Sequence, residues 1–207
     1  MRRLFFTAGA LTLVAAWFGP LPQLARNSFS AHMTMHMTVV AIASPLLALG
    51  LRQTRFARFG FVPALYTPVV ASMLELIVVW AWHTPALHHY ARHSASGLFL
   101  EQSMFFVCGL LLWLSAFGGS ETSRRGAGVI ALLLTSMHMT LLGALLALAP
   151  RALYHHTHEL QGAALADQHL GGVIMLIVGG VSYMAGGLAL AVSLLRSNAL
   201  RTDEVRP

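Results

Sequence analysis

Apolar residues in this chain fall into long runs separated by short clusters of Arg, Pro, Gly and His. The runs lie near residues 4–20, 29–50, 61–82, 97–117, 127–149 and 170–195, and their lengths match the roughly 20 residues a helix needs to cross a hydrocarbon layer of about 30 Å. The pattern predicts an all-α fold, a polytopic transmembrane helical bundle of about six spans forming a single integral membrane domain over residues 1–207. The first run follows Met1-Arg2-Arg3 and has the outline of a secretory signal. However, Ala15-Ala16-Trp17 is a poor cleavage site, so a retained short first span is expected. The last run carries Gly171, Gly172, Gly179, Gly180, Gly186 and Gly187. In lipid such small residues let helices approach closely, so the pattern is one of packing, not of a nucleotide loop.

Composition supports that pattern. Of 207 residues 57% are hydrophobic and only 10% charged, with a mean hydropathy of +0.68, against about 25% charged residues in a soluble chain. The net charge of +6 comes from arginine alone, spread between apolar runs, which argues against nucleic-acid binding. Alternate inter-span segments divide the arginines ten to three. Arg2, Arg3, Arg52, Arg55, Arg58, Arg124, Arg125, Arg196, Arg201 and Arg206 lie on one side, and Arg26, Arg92 and Arg151 on the other. Cytoplasmic segments carry the positive excess, so both termini are expected in the cytoplasm. The single cysteine, Cys108, excludes an intrachain disulfide.

With that orientation, the residues able to do chemistry collect in the outer half of the bilayer. At 1.5 Å per residue, His36 and Glu75 lie about 10 Å below the outer ends of their spans, Glu101 about 6 Å, Met175 about 7 Å and His138 about 16 Å. Asp167 and His169 stand at the outer mouth. The second span opens His32-Met33-Thr34-Met35-His36-Met37, and imidazoles one turn apart share a helix face and can chelate one ion. The fifth span repeats the string as Met137-His138-Met139-Thr140. Imidazole with thioether favours copper, because soft sulfur selects Cu(I), whereas zinc more often recruits thiolate or carboxylate. Glu75 and Glu101 can be ligands, partners that orient a histidine, or proton carriers. Glu101, Met104 and Cys108 follow i, i+3, i+7 spacing on one face, which makes Cys108 a conceivable inner ligand.

Each residue also has a plainer reading. A methionine in a span usually packs or faces lipid, Cys108 reads more readily as a small buried hydrophobe, and an intramembrane His or Glu can simply hydrogen-bond to a neighbouring helix. The external histidines, His83, His88, His89, His93, His155, His156 and His158, are read as interfacial. The exception is His83, which sits where the third span emerges, in Trp80-Ala81-Trp82-His83-Thr84-Pro85.

Four stretches resemble the CtaG family of membrane cytochrome c oxidase assembly factors. They are His32 to Gly50 with its Pro45-Leu46-Leu47-Ala48-Leu49-Gly50 ending, Trp82-His83-Thr84-Pro85, Leu100-Glu101 through Trp113, and Asp167-Gln168 through Gly171-Gly172 and Met175. Together they cover nearly everything beyond the first span. The chain departs from the family pattern at Met35, where Gln is usual before the second His, and at Gln102, where His usually follows the Glu. Its fourth span therefore keeps a carboxylate without an imidazole.

The resemblance implies a multi-pass protein of a bacterial plasma (inner) membrane that helps build the oxidase copper centre. The expected function is that of a non-enzymatic metallochaperone. His32, His36, His138, Glu101 and Met175 would hold copper as Cu(I), supported by Glu75, His83, Met35, Asp167, His169, Met104 and Cys108. Its expected partners are the oxidase subunit carrying the copper centre, an external copper donor and the lipid bilayer. Three alternatives stand beside it: a b-type haem protein with His36 and His138 or His169 as axial ligands, a copper transporter or channel, and a di-iron oxygenase built on the His-x-x-x-His pairs.

Overall fold

The structure is a computed structural model that describes residues 1–52, 67–118, 122–154 and 161–204, with side chains through residue 197. Residues 61–66 of the expected third span, His155, His156 and His158, and Arg55, Arg58 and Arg206 lie outside the described residues. Every regular element among the described residues is helical. The helices are α1 (Arg2–Phe18), α2 (Leu21–Leu24), α3 (Phe29–Leu51), α4 (Pro68–Trp82), α5 (Pro85–His93), α6 (Ala95–Phe117), α7 (Thr122–Ala147) and α8 (Gln161–Ser197), the last continuing as helix to Glu204.

Four of these, α3, α6, α7 and α8, are long and apolar enough to cross a membrane, and α4 with α5 makes a fifth if that bent pair is one span. The expected six is thus met only in part. With 17 residues, α1 reaches about 26 Å at 1.5 Å per residue, short of the roughly 30 Å hydrocarbon layer. The boundaries also shift. The last helix begins at Gln161, well before residue 170, and the third span turns by 74° after Trp82 into α5 instead of ending there. Pro85 causes the turn. It opens α5 without an N–H, and Thr84 before it is extended at φ −67°, ψ 142°, as proline requires of its predecessor.

A second proline reshapes α3. Pro45 has no N–H to return to the Ala41 carbonyl, and α3 widens into a π-helical turn over Thr38–Ala43, with the Ser44 N–H reaching back to Val39. Backbone carbonyls left open inside a membrane bundle must find other donors. The Trp113 indole N–H donates to the Val40 carbonyl at 3.0 Å, and the Ser182 hydroxyl to the Ala41 carbonyl at 2.7 Å. These bonds tie α3 to α6 and α8, and the stacked Trp113 and Tyr183 rings, 5.1 Å apart, fill the space between. A second π turn occupies Met175–Gly179 in α8.

Small residues set the helix spacings. A Cβ on Gly172 would stand 2.4 Å from the Ala147 backbone nitrogen and 2.7 Å from the Gly143 oxygen. One on Gly143 would meet the Leu176 nitrogen at 2.7 Å. Gly9 and Gly50 do the same between α1 and α3. The glycines of α7 and α8 therefore bring two backbones into contact, as their spacing in sequence implies. Gly172→Leu is expected to destabilise the bundle by about 1–3 kcal/mol through overpacking, read as a lowered thermal unfolding midpoint in detergent. Gly162→Ala, whose Cβ meets nothing within 4 Å, serves as the neutral control.

Candidate functional site

At one end of the bundle the N-terminus of α3, the break between α4 and α5, and the start of α6 meet. Ser28 caps α3 by accepting the Ala31 N–H at 3.2 Å. Asp167 of α8 closes the same helix end: its carboxylate accepts the Phe29 N–H at 2.5 Å, the Ser30 N–H at 3.3 Å, the Ser28 hydroxyl at 3.1 Å and the Ser30 hydroxyl. A carboxylate at a helix N-terminus is favoured both by the open N–H groups and by the dipole. Asp167 thus fixes where α3 begins, and with it the positions of His32 and His36 one and two turns further on.

Both imidazoles are fully buried, their ring centroids 6.5 Å apart. His83, at the C-cap of α4, brings its ring within 6.0 Å of His32 and 5.4 Å of His36. Its Nδ1–H donates to the Val79 carbonyl at 2.6 Å, which leaves Nε2 as the free face of the ring. The 74° turn then folds α5 back over the cluster. On α5 the buried residues are His88, Ala91 and Arg92, which share one helix face by i, i+3, i+4 spacing. His88 packs edge-on against His32 at 5.1 Å. Arg92 donates to Glu101 through Nη2 and to the Ala25 carbonyl through Nη1 at 3.2 Å. Glu101, also fully buried, accepts a further bond from Gln102 at 3.2 Å and lies 3.8 Å from His32 Nδ1.

Aromatic rings wall the cluster. Phe105 sits 4.0 Å from His36, and Phe29 stacks on Tyr154 at 4.4 Å. The Tyr154 hydroxyl donates to the His83 carbonyl at 2.5 Å, and burial holds its phenol above the ordinary value, so it remains a donor. Neither ring nitrogen of His32 or of His36 has a hydrogen-bond partner. Among the described residues, no group of three or more His, Cys, Asp and Glu side chains is arranged as a metal site.

The expected site residues separate into several groups. His32, His36, His83 and Glu101 come together. His138 is buried with both ring nitrogens unpartnered, but it lies beyond His36, within electrostatic reach of it, and lines a groove on the flank of the bundle. Glu75 belongs to a deeper polar pair: the Tyr183 hydroxyl donates to it at 2.6 Å, and Cys108 lies near. Met104 accepts the Trp82 indole N–H at 3.4 Å, so Glu101, Met104 and Cys108 share a helix face yet meet different neighbours. Met35 lines a separate groove with Trp17 and Gln102, and Met175 opens the second π turn in the hydrophobic core. His169 donates its Nε2–H to the Ala149 carbonyl at 2.9 Å, clear of the cluster.

Two residues of the cluster were not expected. His88 was read as an interfacial histidine and Arg92 only as a loop charge, yet they are 7% and 5% exposed. The signal was present: Thr84-Pro85 starts a helix, and His88, Ala91 and Arg92 then fall on one face.

A helical bundle with membrane-length apolar helices and a buried imidazole and carboxylate cluster at one end defines a helical membrane protein with a polar intrabundle site. The model of the cytochrome c oxidase caa3 assembly factor family (Caa3_CtaG) matches residues 1–197, and the chain belongs to that family. No curated protein and no solved structure matches it.

The buried Arg92–Glu101 pair makes a stability test. Arg92→Ala strands a buried carboxylate and is expected to cost about 3–5 kcal/mol. Arg92→Met combined with Glu101→Gln removes both charges and is expected to cost clearly less, as compared by denaturant unfolding in bicelles.

Proposed function

We propose that this oxidase assembly factor is a copper-binding membrane chaperone, taking Cu(I) through His32, His36, His83 and His88 and passing it to the oxidase subunit that carries the copper centre. The observation that carries the reading is the His32/His36 pair, fully buried with no hydrogen-bond partner on either ring. A buried polar group left unsatisfied costs about 1–3 kcal/mol, and coordination to a soft metal ion removes that cost for imidazole. With metal–nitrogen bonds of about 2.0 Å, two rings sharing one ion have centroids roughly 5–6.5 Å apart. The separations of 5.4, 6.0 and 6.5 Å among His36, His83 and His32 fall in that range, which supports a shared ion.

Glu101, held by Arg92 and Gln102, keeps Oε1 without a partner and stands beside His32. In this reading it orients His32 and compensates the charge of the arriving ion. Neutral imidazoles without paired thiolates hold Cu(I) firmly enough to load and weakly enough to release by ligand exchange, as a donor requires. Copper is favoured over haem because the rings crowd one another, where a macrocycle needs a wide gap between axial ligands. The arginine partition supports an outer, periplasmic position for this end of the bundle and cytoplasmic termini, and the oxidase assembly role supports a bacterial plasma membrane as the location. The copper donor is then external.

The test is anaerobic Cu(I) titration of the purified protein in nanodiscs, with metal analysis after gel filtration. The unaltered protein is expected to retain copper and the His32→Ala plus His36→Ala variant to lose it. Undiminished copper in that variant overturns the assignment. In cells carrying the same variant, oxidase should accumulate with a copper-poor centre and regain copper when the medium is copper-supplemented.

A further inference from the structure

Helix α5 carries imidazoles on two faces. His88 is on the buried face with Ala91 and Arg92, whereas His89 and His93 are exposed. These two are four residues apart, so they stand one above the other on the same side of the helix. Their ring centroids are 4.0 Å apart and the ring planes differ by 26°. Both border a cleft of about 360 Å³ whose walls include Pro85, Ala86, Leu153 and Tyr154. Adjacent helical positions point about 100° apart, and the pair is accordingly set apart from the cluster that His88 joins on the other face.

The tautomer of His93 is fixed by its surroundings. A carbonyl oxygen only accepts, so the 2.9 Å contact between His93 Nδ1 and the His89 carbonyl is an N–H donated by the ring. In the neutral imidazole the lone pair is then on Nε2. Metal-binding histidines characteristically donate their other ring nitrogen to a backbone carbonyl or a carboxylate in this way, which orients the ring and makes the ligating nitrogen more basic. The 4.0 Å separation is shorter than the roughly 5–6.5 Å of two rings sharing an ion, so the stack opens by about 1 Å or more on binding. Exposed side chains change rotamer within picoseconds to nanoseconds.

We propose that His89 and His93 form a second metal site, on the exposed face of α5, that binds one divalent transition-metal ion through both imidazoles. Among such ions Cu(II) binds tightest, ahead of Zn(II). The pair holds no thioether, the soft donor that selects Cu(I), and the cleft beside it has room for the water molecules that complete a two-imidazole coordination shell. Binding is a ligand substitution: copper–nitrogen bonds form as copper–water bonds break, copper stays divalent, and no electron moves. Arg92 also lines the cleft, but Glu101 matches its charge, which offsets the repulsion of an arriving cation. The site stands on the geometry of this pair and not on the copper reading of the buried cluster.

The test is a Cu(II) titration of the full chain in nanodiscs, without an affinity tag, read by electron paramagnetic resonance and metal analysis. The unaltered protein is expected to bind Cu(II) with nitrogen hyperfine splitting from two imidazoles. His89→Ala or His93→Ala should each weaken that binding about tenfold or more. The double variant should lose the signal, with its thermal unfolding midpoint and its anaerobic Cu(I) retention at the level of the unaltered protein. His32→Ala plus His36→Ala should keep the Cu(II) signal. An unaltered protein without a two-nitrogen Cu(II) signal, or a signal that persists in His89→Ala plus His93→Ala, overturns the outer site and leaves the reading of the buried cluster standing. Loss of the signal in His32→Ala plus His36→Ala also overturns it, by assigning that copper to the buried imidazoles.

Discussion

Arg92 and Glu101 hold the polar end of the bundle together. A buried guanidinium is tolerated when its charge is matched and its N–H groups find acceptors; Glu101 matches the charge and takes the Nη2 bond, and the Ala25 carbonyl takes the Nη1 bond. For Arg92 to reach them, α5 must fold back over the ends of α3 and α6, which the Thr84-Pro85 break permits. The same movement carries His88 onto His32. The ion pair, the proline turn and the imidazole cluster therefore form one construction: separating Arg92 from Glu101 would leave a buried charge and also lift the cover from the histidines.

Backbone hydrogen bonding imposes the second constraint. In a bundle of apolar helices each carbonyl freed by a proline must be answered from another helix. Pro45 frees Ala41, and the widened turn it causes opens Val40. Ser182 and Trp113 answer them. The local irregularity thereby ties α3 to α6 through one donor and to α8 through the other. Tyr183 extends the arrangement to Glu75, so the deeper carboxylate is held by the scaffold, whereas the imidazoles of His32 and His36 remain without partners.

The two Met-His-Met-Thr strings end up in related places by different routes. His36 and His138 come within electrostatic reach, and Met37 and Met139 both approach Gly179 beside the second π turn, where a Cβ would lie 3.4 Å from the Met37 sulfur. Met35 and Met137, one residue earlier in each string, face grooves on different flanks. Adjacent helical positions point about 100° apart, so a contiguous string distributes its donors among several surroundings. Asp167 illustrates the same point: placed at the mouth by counting residues, its carboxylate serves as a helix cap.

The amino-acid pattern alone determined that the chain is helical and apolar enough to cross a membrane, that its glycines pack helices, and that His32 and His36 share a face, because each of these follows from local spacing and hydrocarbon thickness. It also carried the family, through motifs distributed along the chain beyond the first span. Tertiary structure decided what spacing cannot express: that the third span bends, that Arg92 is a buried partner of Glu101 instead of a loop charge, and that His88 joins the cluster while His138 faces a groove. Those outcomes depend on which helix lies against which, and a one-dimensional hydrophobic pattern specifies the buried face of a helix but not the neighbour that buries it.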